Sequence, residues 1–378
     1  MEFTEASTPS DLLKGRIENS KLKTIAEKVF NGIRISAEDA LILYNQAELG
    51  FLGLLASFVA RKNNGNDVFF NRNFHIEPTN ICIHSCAFCS YRRRVGEEGS
   101  WEMTLEQIRE TVRSFRPKGV TEVHITGGVH PRWTIDYFGK IISTIKSEMP
   151  TLHIKAFSAV ELDFIFQQAK LSPREGIRRM RAFGLDSIPG GGAEIANSEI
   201  RQKICGEKTS WERWLEIHEA AHQEGLTSNA TMLYGHIETY QHRIEHMEAI
   251  RKLQDRTKGF NCFIPLKFKA SQNKLEYIGE VNLVEDFRNF AVSRLFLDNV
   301  KNLKAYWPML GKQAAQLAIA FGVNDLDGTI DDSTKIYSMA GAEDKNPSIT
   351  IENLCATIRS MGKNPVERDS LYNPIKRY

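Results

Sequence analysis

From Asp67 onward the chain alternates between short apolar, β-branched runs and longer segments of helical periodicity, and no other feature restricts its possible folds so tightly. The runs are DVFFNRNFHIEP, VTEVHITGG, TLHIKAFSAVE, LDSIPGG, LTSNATMLYG, FNCFIPLKF, NLKAYWPML and VNDLDGT. Of the segments between them, TLEQIRETVRSF has Thr104 and Gln107 at capping-box spacing. SPREGIRRMRAFG has Ser172 as cap, Pro173 at the first helical position and Gly184 as stop, and TSWERWLEIHEAAHQEG reads with Thr209 and Glu212 as its box. Strand–helix repetition predicts a parallel sheet, and eight such units close an α/β (β/α)8 TIM-type barrel. The fourth and eighth runs are the weakest strands, so a partial barrel is the alternative. Residues 1–66 read as an N-terminal helical extension, with SKLKTIAEKVF followed by one long helix from Ala37 to Lys62, capped by Ser36. Residues 67–345 read as the barrel, and residues 346–378 as a C-terminal helix (TIENLCATIRSMG) and tail completing it.

The unusual polar, glycine and proline residues fall at the C-terminal ends of these strands. They are Thr79-Asn80, Thr126 to Gly128, Ser158 to Glu161, Pro189 to Gly192, Tyr234 to His236, Pro265 to Lys267, Tyr306-Trp307 and Asn324 to Asp327. In a barrel those ends converge on one face, where catalytic loops are built, so the chain reads as an enzyme with a single composite site. Lys plus Arg, at 49 against 47 Asp plus Glu, leaves no excess of positive charge for a nucleic-acid surface. The start, MEFTEASTPS, has no basic region followed by an apolar stretch, and LGFLGLLASFVA is too short to span a membrane. Six cysteines, three of them clustered, argue for a metal site in a reducing cytoplasm and against a disulfide framework.

The cluster is NICIHSCAFCSYRRR, with Cys82, Cys86 and Cys89 spaced C-x3-C-x2-C on the loop leaving the first strand. A cubane iron–sulfur cluster is normally held by four thiolates, so three leave one iron open to another ligand. Zinc is the alternative, with His84 or His75 as fourth ligand. Cys205, Cys262 and Cys355 lie scattered; the last two read as small core hydrophobes, and RQKICGEK offers Cys205 no partner.

With its aromatic Phe88 before the last cysteine, this motif resembles that of the radical S-adenosylmethionine (SAM) enzymes. There the open iron of a [4Fe-4S] cluster is chelated by SAM, and an electron from the cluster releases a 5′-deoxyadenosyl radical. Gly127-Gly128 in HITGGVHP resemble the superfamily's GGE element, although Val129 stands where its glutamate would be. The resemblance implies that Gly127 and Gly128 border SAM, that Glu194 beyond SIPGGG takes the ribose, and that Arg213 takes the methionyl carboxylate. Ser158 and Glu161, at the third strand end, offer a hydroxyl and a carboxylate suited to the ribose or the ammonium of SAM. For Ser158 helix capping is an equal reading, and for Arg213 a solvated helix surface is.

FHIEPTNICIHSCAFCSYRR, TGGVHP, DSIPGGGAEI, ATMLYGHIE and CFIPLKF together resemble the branch containing the futalosine-pathway enzymes of menaquinone biosynthesis and the deazaflavin-forming enzymes. LKAYWPMLG and FGVNDLDGT are similar to the aminofutalosine synthase family. That likeness implies addition of the adenosyl radical to 3-[(1-carboxyvinyl)oxy]benzoate, aryl migration and loss of carbon dioxide, giving 6-amino-6-deoxyfutalosine. It also implies a reducing partner such as flavodoxin or ferredoxin. For the aromatic dicarboxylate the candidate contacts are Asn80, Asn229, Tyr234, His236, Lys267, Tyr306 and Asp325, with His236, Lys267 and Tyr306 as catalytic candidates. His236 reads equally as a hydrogen-bonded core histidine. The cyclising futalosine enzyme and a non-catalytic metal-binding scaffold are the rival functions.

Overall fold

A strand can be buried on both faces and still alternate when one face lines a cavity, and the end of the first run, Asn73-Phe74-His75-Ile76, does so. In the computed structural model, which describes residues 19–330, 335–342 and 347–378, the run divides at Arg72 into two nearly fully buried strands, β1 (Asp67–Asn71) and β2 (Asn73–Ile76). They join different sheets. β2 begins a parallel sheet that continues through β3 (Glu122–Ile125), β4 (His153–Ala156), β5 (Ser187–Ile188), β6 (Thr227–Tyr234), β7 (Phe260–Lys267) and β8 (Asn302–Leu303). The fourth run, the weakest by sequence together with the eighth, supplies only the two-residue β5. The seventh run supplies only two residues as well, because Pro308 starts a short helix, Trp307–Leu310.

The eighth run forms β9 (Asp325–Gly328), which pairs with β1 and is bridged to the end of β8 through Lys304 and Asp325. Since β1 runs on into β2 through Arg72, this pairing carries the curled sheet round toward its first strand, in the manner of a (β/α)8 barrel. The buried Arg294 guanidinium positions the start of β9, donating to the Gly322 carbonyl (2.8 Å) and to Asn324 Oδ1 (2.6 Å). What reads as a tail after the last helix, Ile351–Ser360, is two further strands, β10 (Asn364–Arg368) and β11 (Pro374–Arg377). They extend β1 and β9 into a four-stranded sheet ordered β11-β10-β1-β9.

The helices follow their caps. Thr104/Gln107, Ser158/Glu161 and Ser172/Glu175 are capping boxes with both hydrogen bonds made. The helix Trp211–Gln223 starts one residue later than its sequence indicates: Ser210, not Thr209, is the N-cap, accepting from the Arg213 amide. The long N-terminal helix is two, Ala37–Gln46 and Leu49–Asn64, broken at the extended residues Ala47 and Glu48. Ser20–Phe30 packs on both, and they lie against the outer helices Tyr240–Thr257 and Leu283–Phe296, where Tyr44 stacks on Tyr240 and donates to Asn289 Oδ1 (2.7 Å). No helix among the described residues is long and apolar enough to cross a membrane.

Candidate functional site: a cysteine-bordered cavity at the strand ends

The C-terminal strand ends surround a cavity of about 300 Å³, and Cys82, Cys86 and Cys89 all line it. The loop that carries them is tied down by its peptide groups. Cys82 N donates to Arg93 O (3.0 Å), Ile83 N to Val129 O (3.0 Å) and Ala87 N to Ile204 O (2.7 Å), while Ala87 O accepts from Lys274 N (2.9 Å). Asn80, expected at the substrate, is instead part of this bracing and lies outside the cavity lining. Its amide donates to Gly99 O (2.9 Å) and its oxygen accepts from Trp101 N (3.0 Å).

Gly127 and Gly128 also border the cavity, but the space they save is occupied by protein. A Cβ on Gly127 would lie 2.6 Å from Thr79 O, and one on Gly128 2.2 Å from Ile81 O, so the cysteine loop roots directly against the end of β3.

Fixed by its backbone, the loop leaves its three thiols free. Burial raises the Cys82 and Cys86 thiols, Cys86 to about 12, against the opposing pull of Lys208. Such thiols hold their protons until a metal displaces them. No three His, Cys, Asp or Glu side chains among the described residues are grouped to hold a metal ion. Three free thiols on one braced loop, around a cavity that offers further hydroxyl and carboxylate groups, are a donor set that fits an iron–sulfur cluster with one open iron.

The wall beyond the cysteines includes several of the residues expected to border SAM. Phe88 lines it, with Lys208 Nζ 5.1 Å from its ring centre. Ser158 and Glu161 line it, and Ser158 caps the helix Ala159–Gln168 with Glu161 completing the box. Glu161 accepts from Ser158 N and Oγ (both 2.7 Å) and Gly127 N (3.2 Å), yet burial raises its carboxyl to about 7. Glu194 faces the cavity from a left-handed backbone (φ 48°) and pairs with Lys208 (2.6 Å). Burial would raise that carboxyl, but Lys208 outweighs it and the net shift is downward. Arg213 does not reach the cavity. It is held on the helix surface by Asp163 (2.8 Å) and Glu216 (2.7 Å), which removes it as a contact for the methionyl carboxylate.

Side-chain alternation sorts the substrate candidates. On β6, Asn229, Thr231 and Leu233 face the cavity, so Tyr234 points the other way and its hydroxyl donates to the buried Asp286 (2.8 Å). His236 follows it out of the lining: its Nε2 lies 3.1 Å from Leu233 O and its Nδ1 3.3 Å from Glu238. It sits as a hydrogen-bonded core histidine. Asp325 is likewise behind the wall, paired with Arg368 (2.6 Å), whereas Asp327, two residues on, faces in. Asn229, Lys267 and Tyr306 do line the cavity; Lys267 is paired with Asp286 (2.8 Å), and the Tyr306 ring lies parallel to His75.

Sequence reasoning missed the floor. Asn73, His75, His124, Lys155 and Lys304 are interior positions of the strands or adjoin their short ends, and all line the cavity. Lys155 pairs with Glu122 (2.5 Å) and Lys304 with Asp327. Although burial pushes Asp327 up, Lys304 and Lys155 hold its carboxyl well below the usual range. Burial lowers His75 to about 4 and His124 well below its ordinary value, so both imidazoles are neutral. The available signal was a charged or imidazole side chain at every second position of a strand buried on both faces.

Comparison with known proteins agrees with this geometry. Residues 76–250 match the Radical SAM superfamily and residues 257–377 the CofH/MqnC C-terminal region. The chain is 40% identical to an aminodeoxyfutalosine synthase of Thermus thermophilus, covering 95% of this chain and 97% of that protein. It is 37% identical to the protein of that name in Streptomyces coelicolor (94% of each) and 36% to that organism's cyclic dehypoxanthine futalosine synthase (95% and 90%). Among solved structures, methylornithine synthase superposes with a TM-score of 0.72 at 18% identity, covering 90% of this chain and 97% of that one. The hydrogenase maturase HydG from Carboxydothermus hydrogenoformans gives 0.71 at 17%, covering 93% and 80%. The same barrel thus recurs at low identity, and the chain belongs to the radical SAM superfamily, in the family that includes aminodeoxyfutalosine synthase and cyclic dehypoxanthine futalosine synthase.

Proposed function

We propose that this protein is an aminodeoxyfutalosine synthase of menaquinone biosynthesis, joining the adenosyl part of SAM to 3-[(1-carboxyvinyl)oxy]benzoate with aryl migration and decarboxylation. The observation that carries the reading is the near full-length likeness to two proteins of that name, at 40% and 37% identity. Cys82, Cys86 and Cys89 would hold a [4Fe-4S] cluster, which together with SAM supplies the 5′-deoxyadenosyl radical. An external low-potential donor such as flavodoxin or ferredoxin would provide the electron, and residues 67–345 would form the catalytic unit flanked by residues 1–66 and 346–378.

The chain's own residues supply positioning. The cavity lining is mostly apolar with a few charged and hydrogen-bonding groups among it, which suits an aromatic ring bearing two anionic ends. Tyr306, Met309, Ile264 and Leu266 offer the apolar faces, and the ammonium groups of Lys155, Lys267 and Lys304, each paired with a carboxylate, offer hydrogen-bond donors. Asn229 and Thr231 add hydrogen-bonding groups beside them. Neutral His75 and His124 do not protonate at physiological pH, so the floor's charge comes from the lysines and their carboxylates.

The test is anaerobic reconstitution followed by incubation with SAM, reductant and the enol-ether substrate, read by mass spectrometry. An adenosyl product that has lost carbon dioxide is expected. Formation of 5′-deoxyadenosine alone would reject this reading and favour the hydrogen-abstracting chemistry of the cyclic dehypoxanthine futalosine synthases.

A further inference from the structure

Six cationic side chains line the cavity, and five of them have a carboxylate of their own. Lys155 has Glu122, Lys208 has Glu194, Lys267 has Asp286, Lys269 has Glu280 and Lys304 has Asp327. Arg92 is the exception. Among the described residues its side chain makes no ion pair, and its Nε is buried without a hydrogen-bond partner. Glu207 is the carboxylate whose ionisation it assists, but Ser85 N (2.8 Å) and Ser85 Oγ (2.9 Å) already donate to that group.

Leaving a buried N–H donor unpaired is costly, so a fold that keeps one beside a cavity has a donor in reserve for what the cavity receives. The backbone next to it is fixed: Arg93 N donates to Asn80 O (2.9 Å), and Arg93 bridges Ile81. Arg92 is therefore presented from the cysteine loop itself, three residues after Cys89. An ammonium already neutralised by a buried carboxylate offers an incoming anion little net attraction. A guanidinium with no such partner offers full charge and a planar fork matching a carboxylate.

From this we propose that Arg92 is the carboxylate-binding residue of the cavity, taking an organic carboxylate of the bound reactants through Nε and a terminal nitrogen. The inference rests on the functional reading above only in that both reactants named there, SAM and the aromatic dicarboxylate, carry the group. Which carboxylate is held is an experimental distinction.

The test uses reconstituted full-length protein and its Arg92→Gln and Arg92→Lys variants, with calorimetric affinities for SAM and for 3-[(1-carboxyvinyl)oxy]benzoate measured separately. Loss of a charged hydrogen-bonded contact should weaken one ligand by about 10- to 100-fold in the Gln variant. The Lys variant should recover part of that loss, since it keeps the charge and not the fork. Weakening of SAM alone assigns the methionyl carboxylate, and weakening of the dicarboxylate alone assigns the substrate's. Unchanged affinity for both, at full iron content, overturns the proposal. Should the Gln variant fail to take up iron, the Lys variant decides by the same two affinities. Neither measurement needs turnover, so a wild-type protein that binds but forms no product refutes the proposed reaction without touching Arg92.

Discussion

Replacing Gly128 by alanine tests whether the glycine pair serves packing of the cysteine loop or approach of a ligand. Gly128 is not in the left-handed region, so alanine meets no backbone penalty there and the perturbation is one methyl group. That methyl would sit 2.2 Å from Ile81 O, 2.6 Å from Ile81 C and 3.0 Å from Asn80 C, all backbone atoms that cannot rotate away. Restoring ordinary contact needs the two chain segments to part by about 1 Å. Ile81 is buried and immediately precedes Cys82, so the shift passes to the first thiol. Overpacking of this kind costs about 1–3 kcal/mol, and a displacement of about 1 Å in a constrained site costs on the order of 100-fold in rate. We expect Gly128→Ala to lower Tm and to bind substoichiometric iron after reconstitution. Gly191→Ala is the matched control, because its Cβ would meet nothing nearer than 3.7 Å (Ser158 Cβ); it should keep its iron and change stability by less than about 0.5 kcal/mol. Full iron content and an unchanged Tm in Gly128→Ala would refute the reasoning, as would equal damage from both variants.

Lys267→Met should destabilise the fold by about 3 kcal/mol in chemical denaturation, since it strands the buried Asp286 carboxylate. The double variant Lys267→Met/Asp286→Asn should regain most of that loss, and an unchanged KM for the dicarboxylate in the double variant would remove Lys267 from the substrate's contacts. Glu161 carries a pH signature: burial raises its folded pKa to about 7 from an ordinary 4.5, so between those values the native state holds a proton that the unfolded state has released. Its contribution to stability is therefore greatest below pH 4.5 and is lost as pH rises toward 7, by an amount of up to about 3 kcal/mol. Tm measured against pH should fall more steeply across that window for wild type than for Glu161→Gln; parallel curves would show that the buried carboxyl does not titrate there.

Much of the architecture was written in periodicity, because helix caps and buried parallel strands are local in sequence. Thr104 with Gln107 and Ser172 with Glu175 cap the helices they flank, and the cysteine loop leaves the strand it was expected to leave. What failed was non-local. Nothing in NPVER shows that it will pair with β1, a strand nearly 300 positions away in the chain, or that PIKR will add a further strand on its other side. Residues at the site were misjudged for a related reason: a polar group at a strand end looks functional whichever face it takes. Tyr234 has the right chemistry and the wrong phase, one position from the cavity-lining Leu233; His236 lies beyond the end of that strand, and Asp325 faces Arg368 while Asp327, in a left-handed backbone, turns in. Once β6 is fixed by Asn229, Thr231 and Leu233 facing inward, the outward direction of Tyr234 follows from the pleat alone. The same phase argument brings in the floor, where Asn73 and His75 are two apart on β2 and their neighbour Phe74 packs outward on Phe115. A polar residue inside a buried strand costs stability unless its side chain is satisfied, so Lys155 beside Glu122 and Lys304 beside Asp327 mark charge that the cavity, rather than the core, requires. Arg92 extends that logic to a group the fold does not satisfy by itself, and a ligand carboxylate completes the set of charge pairs around the cavity.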